Sequence, residues 1–143
     1  QAFRGSFFRV IETFRGKGNF VDVNYYLLFS ALESLCRSVL NDYTSKNCAE
    51  PIEKYLRQKN LDLVQDDSSD LVRAVSTYVH LRNALFHNAE FEAKVNINGQ
   101  TVTHKLEKYY PYLKRLMPLV IMKYIGFDDG HINWSSWRDK MMF

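Results

Sequence analysis

Residues 70–88, DLVRAVSTYVHLRNALFHN, combine a helical apolar pattern with a polar cluster at the end. Successive residues of an α-helix lie about 100° apart. This spacing places one set of apolar side chains on a single face: Leu71, Val72, Val75, Val79 and Phe86, with Tyr78 and Leu85 at its edge. Arg82 projects from the middle of that face, where a guanidinium is costly to bury unless it is paired or used. The sequence therefore predicts an amphipathic helix from Asp70 to His87 that ends in a functional site.

Other helical segments lie on both sides of this one. A long amphipathic helix is predicted from about Val23 to Tyr43, and a shorter one from Ala49 to Lys59. A last helix is predicted from about Lys105 to Tyr124, which two internal prolines, Pro111 and Pro118, should kink or divide. For the helix over 70–87, the turn at residues 65–70 supplies the N-cap candidates, and Asn88 is a candidate C-cap.

A change of pattern follows the central helix, from Phe91 to His104. Apolar and polar residues alternate on both sides of Asn98-Gly99, the dipeptide most typical of two-residue hairpin turns. We expect a small β-hairpin here. It would cover the site, contact a substrate or join a dimer, or else it is a solvated decoration.

The chain ends complete the predicted organisation. Residues 1–20 form an aromatic extension without a clear period, residues 23–124 the helical core, and residues 125–143 a packing segment with Trp134 and Trp137. All 143 residues suit one domain. The start at Gln1 rather than methionine suggests a piece cut from a longer chain, or a processed start.

Bulk composition bounds the class of protein. A chain that is 46% hydrophobic and 15% aromatic has the composition of a folded protein. Its net charge of +3 permits a nucleic-acid partner without demanding one. The two cysteines, Cys36 and Cys48, have no metal-ligand spacing, and no apolar run is long enough to span a membrane. We expect a cytoplasmic protein with no metal, no cofactor and no membrane partner.

The motif itself resembles the signature of the HEPN superfamily, in which an arginine is followed a few residues later by a histidine. An asparagine often comes directly after that arginine, and Arg82, Asn83 and His87 match all three positions. Residues 25–36 resemble the first long helix of Apea-like HEPN proteins associated with phage defence. The resemblance covers residues 22–88 and implies a small antiparallel helical bundle that dimerises and cuts RNA without a metal.

The residue types suit this chemistry. RNA cleavage by its own 2′-hydroxyl needs proton transfers and positive charge beside the phosphorane. Arg82 would stabilise the phosphorane, His87 would move protons and Asn83 would position them. The plain alternatives are a structural ion pair for Arg82, a helix-end histidine for His87 and a polar flank residue for Asn83.

Supporting residues are open to two interpretations each. Glu33 would orient Arg82, or it forms an ordinary ion pair with Arg37 four residues later. His80, two helical turns before His87, would act as a second proton-transfer group, or it is simply solvent-facing. Since one motif supplies one His87, a symmetric dimer would place two copies across one cleft.

A basic and aromatic stretch in the last helix is a candidate RNA-binding surface, because such mixtures grip phosphates and stack on unpaired bases. Its members are Lys105, Lys108, Tyr109, Tyr110, Tyr112, Lys114 and Arg115. The alternative is a helix with its tyrosines in the core and its lysines in water.

The sequence thus predicts a metal-independent endoribonuclease, a homodimer with RNA as substrate. The resemblance suggests a role in phage defence, as a toxin or in abortive infection, with a sensor domain or an antitoxin as partner. The alternative is a non-catalytic HEPN module for dimerisation or for RNA or nucleotide binding within a larger protein. A third interpretation is a tyrosine that accepts a nucleotidyl group.

Overall fold

The computed structural model describes residues 2–16, 20–63 and 70–136. These residues contain five helices and one two-stranded sheet: α1 (Ala2–Arg15), α2 (Val21–Leu40), α3 (Ala49–Gln58), α4 (Leu71–Asn88), β1 (Glu92–Ile97), β2 (Gln100–Lys105) and α5 (Leu106–Ile125). The predicted mainly helical class with a hairpin after the motif helix is therefore confirmed. Among the described helices, none has the length and apolar character that a bilayer crossing needs.

Helix α2 is the centre of the core and packs against α1, α3, α4 and α5. Its inward side chains leave almost no surface exposed: Tyr25, Leu28, Phe29, Ala31, Leu32, Leu35 and Cys36. Two tyrosine hydroxyls donate hydrogen bonds across the core, from Tyr25 to the carbonyl of Tyr78 at 2.8 Å and from Tyr55 to that of Val120 at 3.3 Å. These bonds satisfy polar groups that would otherwise be costly to bury.

Both ends of α4 carry caps. The N-cap is Asp70, the last residue of the turn that supplied the candidates, and its carboxylate accepts a hydrogen bond from the backbone N–H of Val72 at 3.0 Å. The C-cap is Ala89, with φ of 54° in the left-handed region, so the predicted cap at Asn88 is wrong by one residue. Asn88 is the last helical residue, because the N–H groups that bond back to the helix belong to Ala89 and Glu90.

The buried face of α4 is rotated from the predicted one. Tyr78, expected at the edge, lies at the centre, whereas Val72 and Phe86 are 47% and 58% exposed. Arg82 is half-buried rather than enclosed. The apolar residues cover too much of the helix for its neighbours α2, α3 and β1 to bury them all, and the buried side is the one that also contains Ala74 and Leu81.

The hairpin forms as predicted. Strands β1 and β2 are antiparallel, and the closing pair is Ile97 with Gln100. Asn98 and Gly99 have φ values of 52° and 81°, the pair of positive angles that a two-residue type I′ turn requires. Strand β1 packs on α4, where Ala93 is buried.

The chain ends depart from expectation at two places. Residues 2–15, expected to lack a period, form helix α1, whose Val10 joins the core while Phe7, Phe8 and Phe14 remain exposed. These exposed rings hide the helical period in the sequence. Helix α5 continues through Pro111 and Pro118 rather than dividing, because its buried face offsets the cost of the lost backbone bonds. Trp134 packs against the core as predicted. The predicted packing of Trp137 lies outside the described residues.

Candidate functional site

The three motif residues lie in the last two turns of α4. Arg82 and Asn83 are half-buried, and His87 is exposed. A guanidinium nitrogen of Arg82 donates a hydrogen bond to the amide oxygen of Asn83 at 2.9 Å. Neighbouring residues on a helix normally point apart, so this bond fixes the orientation of both side chains.

Phe86 links the motif residues on the other side of the helix. The guanidinium of Arg82 lies 5.5 Å from the centre of the Phe86 ring, a cation–π contact. The ring of His87 stands edge-on to Phe86 at 5.3 Å, and Tyr26 of α2 stacks on Phe86 at 5.8 Å. We call Arg82, Asn83, Phe86 and His87 the motif cluster.

A groove of about 550 Å³ separates the end of α4 from strand β1. His80, Asn83 and His87 line its helical wall, as their spacing predicts, because they lie within one arc of the helix. Lys94 of β1 and the carboxylates Glu90 and Glu92 line the opposite side. We call this the histidine groove; it is open to water and is lined by imidazole, amide, ammonium and carboxylate groups.

Arg82 is not part of the histidine groove. Arg82 lies five positions before His87, which turns the two side chains about 140° apart around the helix. Arg82 lies instead on the side of Phe86. A single chain therefore brings His80, Asn83 and His87 together, and Arg82 reaches them through its hydrogen bond with Asn83.

A second groove, about 430 Å³ and mostly apolar, begins on the Phe86 side of the helix. Tyr26, Leu85, Phe86 and Phe91 are among the residues that line it. Phe91 also borders the histidine groove, so the two grooves meet there. We call it the apolar groove. Sequence reasoning missed it because the apolar pattern placed Phe86 in the core, and Phe91 had no signal beyond its hydrophobicity.

Glu33 has a different partner from the one proposed for catalysis. Its carboxylate accepts a hydrogen bond from Arg37 at 2.9 Å, the ordinary ion pair four residues apart. The predicted pairing with Arg82 is not formed in this structure. Since Arg82 is only half-buried, it needs no carboxylate to offset the loss of its hydration.

The charges of Glu33 and Arg82 both affect the pKa of the Cys48 thiol. Burial raises the pKa of its thiol and the negative charge of Glu33 raises it further, while Arg82 and Arg37 lower it. The thiol is therefore kept protonated near neutral pH, which makes it a poor nucleophile. Within residues 2–16, 20–63 and 70–136, no group of His, Cys, Asp or Glu side chains is arranged to hold a metal ion.

The predicted RNA-binding residues of the last helix do not form one surface. Tyr109 is buried, and its hydroxyl lies 3.1 Å from the ring nitrogen Nδ1 of His104, so it cannot stack on a base. Tyr112 is half-buried beneath Arg115, whose guanidinium lies 5.6 Å from the ring centre. Lys105 and Lys108 are exposed, whereas Lys114 contacts Phe14 of α1.

Comparison of the chain with protein-family models, with curated proteins and with solved structures finds no match. The candidate function therefore rests on the motif cluster and the two grooves.

Proposed function

We propose that this chain is a HEPN-like, metal-independent endoribonuclease that acts as a homodimer. The observation that carries the proposal is the hydrogen bond between Arg82 and Asn83, beside an open groove that His80, Asn83 and His87 line. This hydrogen bond links the guanidinium of Arg82, a permanent cation, to the groove that His80 and His87 line. An imidazole, an amide and a guanidinium are the groups that phosphodiester cleavage needs.

In this mechanism the 2′-oxygen of RNA attacks the neighbouring phosphorus, and the bond from phosphorus to the 5′-oxygen breaks. One imidazole accepts the proton of the 2′-hydroxyl, and a second protonates the leaving 5′-oxygen. Histidine suits both steps because its ordinary pKa is about 6.5. Arg82 stabilises the charge on the phosphorane oxygens, and Asn83 orients Arg82 through the bond between them.

A dimer would bring an arginine and a histidine to the same phosphate, which a single chain does not do. Because Arg82 and His87 project from different sides of α4, a two-fold partner is the simplest way to bring both types of side chain to one phosphate. The apolar groove beside the motif cluster supports a partner here, since Phe86 and Phe91 are 58% and 56% exposed. His80 is the alternative second imidazole within one chain.

The biological setting is proposed from the HEPN resemblance alone. It favours a cytoplasmic nuclease of phage defence or of a toxin system that stops growth by cutting RNA. A sensor domain or an antitoxin would then hold it inactive until infection.

The test is cleavage of a mixed RNA pool in EDTA by the wild-type chain and by Arg82→Ala and His87→Ala variants. We expect the wild type to leave 2′,3′-cyclic phosphates, and each variant to lose activity by about 10²- to 10⁴-fold. His131→Ala is the matched control, because His131 is an exposed histidine outside both grooves. Activity that survives both motif substitutions would exclude this site.

Mixing the two inactive variants tests the composite site. A dimer of one Arg82→Ala chain with one His87→Ala chain retains one Arg82 and one His87, on different protomers, and both copies of His80, the alternative second imidazole. We expect mixing to restore part of the activity, whereas no recovery in a mixture shown to form mixed dimers would contradict the shared cleft.

A non-catalytic dimerisation module is the second candidate, which the exposed apolar groove favours. It predicts that Phe86→Ala weakens dimer formation while no RNA is cut by any variant. Light scattering and the cleavage assay together separate the two candidates.

A further inference from the structure

Aromatic rings of α1 and α5 form a partly exposed row, far along the chain from the motif. The row is Tyr124, Phe3, Phe7 and Phe8, and we call it the aromatic row. Consecutive ring centres are 4.4, 5.8 and 6.4 Å apart. Phe3, near the start of α1, meets Tyr124, whereas Phe14, near its end, meets Lys114, so the two helices run in opposite directions.

Cations lie directly on this surface. The guanidinium of Arg4 is 5.7 Å from the centre of the Phe8 ring, and the ammonium of Lys114 is 5.0 Å from that of Phe14. Helix α1 also carries Arg9 and Arg15 on exposed positions, against Glu12 as its one acid. The outer surface of α1 is therefore strongly basic.

Phe3 packs against the core, but Phe8 and Phe14 are not part of it. Ser6, Val10 and Thr13 form the buried side of α1, whereas Phe8 and Phe14 are 52% and 50% exposed. Exposed rings that contact cations suit a ligand that carries both anionic groups and planar rings.

We infer that this basic aromatic face of α1 and α5 binds single-stranded RNA. Arg4, Arg15 and Lys114 would contact phosphates, while Phe8 and Phe14 would stack on bases. The inference rests on the proposed function, because it gives that nuclease a surface to hold its substrate outside the histidine groove.

The placement of charge favours RNA over a membrane surface. A helix that lies in a bilayer separates its cations on one side from its aromatic residues on the other. Here Arg4 and Phe8 are four residues apart on one side of α1 and touch each other. Two cation–ring pairs, Arg4 with Phe8 and Lys114 with Phe14, match the phosphate and base that each nucleotide of a single strand presents.

The test is fluorescence anisotropy of a labelled single-stranded oligoribonucleotide bound to the full chain, in a His87→Ala background that prevents cutting. We expect the double substitution Arg4→Glu with Lys114→Glu to raise Kd by at least tenfold. It should also reduce the dependence of log Kd on log salt by about 0.7 for each lost phosphate contact. We expect Phe8→Ala with Phe14→Ala to raise Kd by about 30-fold or more without changing that salt dependence.

The matched control is Lys46→Glu with Lys54→Glu, which changes the net charge equally at exposed lysines outside this face. Unchanged thermal unfolding of every variant verifies the fold. The inference fails if the control and the test pair weaken binding equally. It also fails if the test pair loses only binding to vesicles of phosphatidylcholine and phosphatidylserine, which would indicate a membrane surface. A change only in the mass measured by light scattering would indicate a contact between copies of the chain, and the inference would fail in that case too.

Cleavage of a dinucleotide, which is too short to reach both sites, keeps the two proposals distinguishable. Normal dinucleotide cleavage with unaltered RNA binding in the test pair would overturn this inference alone. A second outcome is that the wild-type chain binds RNA but cuts none, and that the test pair no longer binds it. This would overturn the proposed function and support the RNA-binding face.

Discussion

The first eleven residues of α4 and its last seven lie in contrasting surroundings. Within 71–81 the inward side chains are buried: Leu71, Ala74, Val75, Thr77, Tyr78, Val79 and Leu81. Within 82–88 no residue is buried, although the helix continues without a break. The same helix is therefore a core element for its first three turns and an open platform for its last two.

This contrast separates stability from chemistry along one helix. The buried turns fix the position of the axis, and the open turns hold Asn83 and His87 on it while leaving them accessible to a ligand. Groups on a rigid helix keep their mutual geometry better than groups on a loop. Substitutions in the two parts should accordingly affect different measurements.

The largest effect on stability is expected at the boundary, from Leu81→Ala. Leu81 is 1% exposed, so its truncation leaves a cavity and should lower the free energy of unfolding by about 3 kcal/mol. Leu85→Ala, one turn later on a half-buried side chain, should cost less than half as much. Urea unfolding measures both, and equal losses would contradict the division of α4.

A smaller loss of stability is expected when the hydrogen bond that joins the buried part of α4 to α2 is removed. Tyr25→Phe removes the hydroxyl that donates to the carbonyl of Tyr78 at 2.8 Å. That carbonyl keeps its helical partner, so the free energy of unfolding should fall by only about 1 kcal/mol. Tyr55→Phe is the matched control, because its bond to Val120 is longer, at 3.3 Å. A larger loss from Tyr55→Phe would reverse this ranking.

The stabilising effect of the Tyr25 hydroxyl should also depend on pH, because the phenol can ionise. Burial raises the pKa of its phenol well above the ordinary value, with Tyr78 adding to the shift. The folded protein therefore holds this proton more tightly than the unfolded chain. Its contribution to stability is complete below the unfolded pKa of about 10 and is lost as pH rises above it. The stabilities of the wild type and of Tyr25→Phe should converge in alkaline solution.

Features with local causes could be predicted from the sequence. Asp70 caps α4 because its side chain reaches a backbone N–H two residues away, and Asn98-Gly99 forms the turn because both residues tolerate positive φ. The groove residues His80, Asn83 and His87 share one arc of a helix, which their spacing alone establishes.

Features set by neighbouring elements could not be predicted in this way. The apolar residues of α4 span a wide arc, and the part of it that is buried depends on where α2 and α3 pack. That packing left Phe86 exposed and Arg82 half-buried. The apolar groove also needs Tyr26 and Phe91, which come from different segments of the chain.

The smallest effect is expected where the open part of α4 ends. Ala89 has φ of 54°, a left-handed conformation that strains any residue with a Cβ atom. Ala89→Gly removes this strain but makes the unfolded chain more flexible, so the net gain in the free energy of unfolding should be about 0.5 kcal/mol. Ala84→Gly, the same change inside the helix, should instead cost about 1 kcal/mol. Opposite signs for these two substitutions, measured by urea unfolding, would place the end of the platform at residue 89; a loss from both would mean that the helix continues past it in solution.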